Sequence, residues 1–69
     1  MPIPSLQEMV DANPALYDAM RDRDSAANYV CELMARGMRT KEAFGKWRKH
    51  HQNVKRQVAV ACEKLGVEL

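Results

Sequence analysis

The side chains best suited to chemistry lie in the second half of this 69-residue sequence, in Lys46-Trp47-Arg48-Lys49-His50-His51 and, a few residues on, Lys55-Arg56. Lys and Arg neutralise phosphates and release the counterions condensed on a nucleic acid, and Trp or His rings can stack on bases. Lys46, Arg48, Lys49, Lys55 and Arg56 are therefore the candidate nucleic-acid contacts. The same run equally suits the solvated face of a helix. A helix-turn-helix would need a break at His50–Asn53, a cap at Asn53, Val54–Leu65 as the recognition helix and Thr40–Trp47 as its support. That turn has no glycine, and the apolar pattern passes through it without losing phase.

Other chemistry finds less footing. His50 and His51 are adjacent and point in different directions on a helix, whereas chelation there needs spacing of one turn. Cys31 and Cys62 form no Cys-x-x-Cys, so neither a metal nor a cofactor is expected. The two thiols are expected to be free and buried; a disulfide between facing helices is the other option. Asp18, Asp22 and Asp24 interleave with Arg21 and Arg23, a pattern for surface ion pairs rather than an acid–base pair. Ser5 and Ser25 suit helix caps, and there is no nucleophile-elbow motif or phosphate-cradling glycine loop. A non-enzyme is expected. The amino terminus lacks a basic start with a continuous apolar segment, and no apolar run approaches the roughly 20 residues that cross a bilayer. The expected setting is the cytoplasm, with no membrane.

The net charge of +2 is unevenly spread. Residues 1–39 hold four Arg and six acids, net −2, and residues 40–69 hold seven Lys or Arg and three Glu, net +4. Such asymmetry suits an acidic partner, or one half docking on the other.

The elements that must position these groups are helical. Ala, Met, Leu, Glu, Lys, Arg and Gln dominate, and nothing alternates like a strand. A short helix is expected over about residues 5–12, opened by Ser5 and Glu8 at capping-box spacing, with Leu6, Met9 and Val10 as its apolar face. Asn13-Pro14 ends it, with Asn13 as cap and Pro14 in the first turn of the next helix. That helix spans about residues 14–36, with Leu16, Tyr17, Met20, Ala27, Val30, Cys31 and Met34 as its apolar side. Asp24 and Ser25 leave open a kink near residue 24. Gly37 is placed for a left-handed C-cap and Thr40 for the cap of a third helix over 41–65, which Gly66 stops.

On this third helix Phe44, Trp47, His51, Val54, Val58, Ala61 and Leu65 recur at spacings of 3, 4, 3, 4, 3 and 4, a heptad seam. The short link at Gly37–Thr40 makes helices two and three antiparallel neighbours. The expected fold is all-α and a single domain over 1–69: a helical hairpin with a short amino-terminal helix. One hairpin cannot easily bury Tyr17, Tyr29, Met38, Val60, Val67 and Leu69 as well, and a chain this short has a marginal core of its own. Pairing into a homodimeric bundle is the ordinary remedy, with Phe44, Trp47, His51, Val54, Val58 and Leu65 as the core and dimer seam.

Aromatic and arginine side chains most often anchor protein interfaces. Tyr17, Arg21, Arg23, Tyr29, Arg36, Met38 and Arg39 are the candidate partner contacts, and Met9, Met20, Met34 and Met38 supply adaptable apolar surface. The expected function is a small regulator that binds and inhibits or modulates another protein. By size alone the chain is in the class of phage-type and prokaryotic inhibitors of host regulatory proteins. The alternative is a small DNA- or RNA-binding protein that uses the basic third helix.

Overall fold

The computed structural model describes residues 3–67; Leu69, one of the apolar residues in search of cover, lies outside them. Three helices account for most of that span and no strand occurs among the described residues: α1 (Leu6–Ala12), α2 (Ala15–Ala35) and α3 (Lys41–Leu65). The fold is all-α.

Local chemistry sets most of the helix ends. At α1 the Glu8 backbone N–H donates to Ser5 Oγ at 3.1 Å, and the Ser5 N–H donates to the Glu8 carboxylate at 3.3 Å. This reciprocal capping box satisfies two donors that a helix start otherwise leaves open. Helix α2 ends with Gly37 at φ +68°, where an L side chain would be strained. The Met38 N–H then reaches the Leu33 carbonyl at 2.9 Å and the Gly37 N–H the Met34 carbonyl at 3.1 Å, a complete Schellman motif. The same device closes α3. Gly66 lies at φ +72°, and the Val67 and Gly66 N–H groups bond Cys62 and Glu63.

Two expected caps differ. Asn13 is the C-cap of α1, and its side chain does not cap α2: its amide nitrogen donates to the Gln57 carbonyl at 3.0 Å and to Gln57 Oε1 at 2.9 Å. Only 5% exposed, Asn13 thus ties the α1–α2 junction to α3. Pro14 precedes α2 with helical angles and no side-chain cap. Thr40 makes no side-chain cap either, because its backbone is already nearly helical (φ −112°, ψ −1°) and not extended as a capping residue requires. Helix α2 is one unbroken element through Asp24 and Ser25. Helix α3 likewise runs unbroken through His50–Asn53.

Helices α2 and α3 are antiparallel neighbours. The start of α2 meets the later part of α3, where Leu16 and Ala19 cluster with Val54, and Met9, Val10, Met20 and Val58 pack around them. The end of α2 meets the start of α3, where Val30, Leu33 and Ala43 cluster against Trp47. Between these two apolar clusters Asp22, Ser25 and Ala26 of α2 lie beside Lys46 and His50 of α3. Leu16, at 0% exposure, is the largest fully buried side chain. The molecule is elongated, 45 × 19 × 16 Å.

The buried line of α2 is Leu16, Ala19, Val30 and Leu33, which differs from the apolar side read from sequence. Tyr17, Cys31 and Met34 are exposed and Met20 and Ala27 only partly covered. The expectation of two buried thiols therefore holds for Cys62 and fails for Cys31, which is exposed; both are free. A bond between them is excluded by the register. Cys31 lies near the level of Ala43, and Cys62 is 19 residues further along α3, about 28 Å of helix.

Candidate functional site

Helix α3 presents its seam unevenly. Val54 is buried and Val58 packs on the Leu16 cluster, while Phe44 is 42% and Leu65 39% exposed. The buried line runs instead through Ala43, Val54 and Ala61, with Cys62 beside it. The offset has a geometric cause. A seven-residue repeat drifts by about 20° per heptad around a straight helix, so the seam turns by about 60° between Phe44 and Leu65 and does not keep to one line along the helix. Ala19, Ala43 and Ala61 are all buried.

The uncovered part of the seam meets the uncovered part of α2. Ala27, Val30, Cys31 and Met34 from α2 and Phe44 and Trp47 from α3 line an open, apolar hollow of about 240 Å³. Met34 stands on its rim at 60% exposure. His51 stacks on Trp47, with ring centroids 5.0 Å apart and planes inclined by 8°. This sandwich fixes the Trp47 ring at the groove wall. The His51 Nδ1 atom is buried and has no hydrogen-bond partner among the described residues. One side of the seam is bordered by charge: Arg48 and Lys55 follow Phe44 and His51 by four residues, one turn away on the same side of α3.

The expected partner contacts do not converge. Tyr17 and Arg21 share a separate hollow of about 250 Å³ on the outer face of α2. Tyr29 lies on the opposite flank, in a hollow of about 320 Å³ with Asp22, Ser25, Lys46 and His50. Arg23 is half-buried towards α3 and pairs with Asp24 at 3.6 Å. Arg36, Met38 and Arg39 are exposed on the connection at one tip of the rod. Arg21 pairs with Asp18, also at 3.6 Å, and both side chains are well exposed. Such pairs contribute little, on the order of 0–1 kcal/mol.

The basic residues split as well. Lys46 joins the Tyr29 hollow. Arg48, Lys49, Lys55 and Arg56 are exposed, and the pairs Arg48/Lys55 and Lys49/Arg56, each seven residues apart, form adjacent stripes along an unbroken helix. Asp22, Ser25 and His50 meet around one hollow, but no hydrogen bond links any two of them. No group of three or more His, Cys, Asp or Glu side chains is placed to hold a metal ion among the described residues. No helix among them is long and apolar enough to cross a membrane.

No family model, curated protein or solved structure matches the chain. Its groove must therefore be read from its own residues. Ala27, Cys31 and Met34 are the members that the sequence placed in the hairpin interior. The signal for their exposure was present: α2 carries two apolar stripes, one through Leu16, Ala19, Val30 and Leu33 and another through Met20, Ala27, Cys31 and Met34. A single facing helix covers one of them.

Proposed function

We propose that this protein is a small non-enzymatic regulator that works by holding another polypeptide in the groove between α2 and α3, and so blocks or alters that polypeptide's other contacts. The observation that carries the reading is the apolar lining of that groove, with Met34 60% and Phe44 42% exposed at its edge. Exposed apolar side chains gathered in one concave strip mark interaction surfaces more reliably than apolar residues scattered singly. Methionine adapts its shape to a partner, and the Trp47 ring, held by His51, offers a rigid wall. Arg48 and Lys55 on the α3 rim suit an occupant with acidic side chains flanking an apolar strip.

The test is capture by the immobilised chain from nuclease-treated extract, wild type against Met34→Glu and against Lys49→Glu/Arg56→Glu. A specific protein should bind wild type and the double variant and be lost by Met34→Glu. Loss of every partner on nuclease treatment, or retention by Met34→Glu, would defeat the reading. The alternative, nucleic-acid contact by Arg48, Lys49, Lys55 and Arg56, draws support from their two parallel stripes on an exposed helix face. It predicts a mobility shift that weakens steeply with salt. It does not include a helix-turn-helix, since α3 has no turn at His50–Asn53.

A further inference from the structure

We propose that the groove is occupied by the same groove of a second copy of this chain, giving a two-fold four-helix assembly with each α2 laid over the partner's α3. The inference rests on the reading of the groove as a polypeptide-binding surface: a second copy covers it in the free protein, and a foreign partner takes the place of that copy.

Three observations point to a second copy. The first is area. The chain exposes 5360 Å², whereas a compact monomer of its mass, 7.9 kDa, would expose about 4400 Å². The excess, about 950 Å², is close to the roughly 800 Å² that each partner buries in a standard interface. The radius of gyration is correspondingly large, 14.5 Å, against about 11 Å for a compact domain of this length. A face of the rod measures 45 × 19 Å, enough for one interface of the standard size, roughly 800 Å² per partner.

The second observation is shape. A two-fold interface must be complementary to itself. The groove carries both halves of such a fit: protruding Met34 and Phe44, and small Ala27 and Cys31 where protruding side chains of a facing copy can seat.

The third is charge, and it selects the arrangement. Helix α2 holds four acidic and two basic residues, net −2, and α3 holds seven basic and two acidic residues, net +5. Stacking α3 on α3 would oppose two strongly positive helices. Laying α2 over the partner's α3 sets opposite signs together. The exposed Arg48 and Lys55 of each α3 would then lie near the partner's net-negative α2 instead of near another basic helix.

The experiment uses the full chain alone, by sedimentation equilibrium from micromolar to millimolar concentration, with thiol-reagent labelling of exposed Cys31 at each point. The expected result is a mass rising to twice that of the chain while Cys31 labelling slows in parallel. Met34→Glu, at an exposed position that leaves the helices intact by circular dichroism, should weaken pairing by about tenfold or more. A single-chain mass throughout, with Cys31 equally reactive at every concentration, overturns the proposal. So does a dimer indifferent to Met34→Glu, which would pair through another face. Should the chain stay single while Met34→Glu still abolishes capture of a foreign protein, self-pairing is refuted and the groove keeps its role as a binding surface.

Discussion

Replacing Asn13 by Ala tests whether this residue acts locally, as the cap its position before Pro14 suggests, or across the fold. Its side chain makes two hydrogen bonds, to the Gln57 carbonyl at 3.0 Å and to Gln57 Oε1 at 2.9 Å, from a site only 5% exposed. A buried hydrogen bond contributes about 0.5–1.5 kcal/mol net. Asn13→Ala should therefore cost about 2 kcal/mol, and in a chain this small about 8–16 °C in Tm. The backbone roles of residue 13 survive the change: its N–H still reaches the Met9 carbonyl and its own carbonyl still accepts from Leu16. Gln57→Ala removes two side-chain bonds, the one accepted from Asn13 and the one donated to Asn53 Oδ1 at 3.3 Å, and leaves the Gln57 carbonyl as acceptor, so it should cost about 1–2 kcal/mol. In that background Asn13→Ala has one bond left to lose, and the double-mutant cycle should show a coupling of about 1 kcal/mol. The measurement is urea unfolding of the four chains, followed by helical circular dichroism and at a concentration low enough to keep self-association constant across them. A coupling near zero would mean that Asn13 acts within its own turn, and the account of the α1–α2 junction as pinned to α3 would be wrong.

Leu16→Ala empties the best-covered position of the core; it should lower stability by about 2–5 kcal/mol, enough to leave so small a domain largely unfolded by circular dichroism at room temperature. Gly37→Ala forces an L side chain into φ +68°, with no crowding of the new Cβ, so the backbone alone should account for a loss of about 1–2 kcal/mol in denaturant unfolding. Ser5→Ala removes the acceptor of the α1 capping box and should cost about 1 kcal/mol, read as faster amide exchange in α1 before α2 or α3 is affected.

Much of the architecture was legible in the order of residues because its causes are local. Ser5 and Glu8 announce the start of α1, and Gly37 and Gly66 the left-handed ends of α2 and α3, since each device involves groups within one turn of the chain. The long apolar seam marks α3 as a continuous rod because a helix repeats its faces at a spacing visible in sequence. What periodicity does not carry is phase against a neighbour. Helix α2 has two apolar stripes, and only its packing on α3 shows that Leu16, Ala19, Val30 and Leu33 face inward while Ala27, Cys31 and Met34 are left to line a groove. The same holds for Asn13. Its type and its place before a proline suit a helix cap, yet its partner is 44 residues away, and a contact at that separation exists only once α3 has folded back along α2. Hydrogen-bonding capacity is written in the side chain; which acceptor wins is decided by whichever group the fold brings within reach.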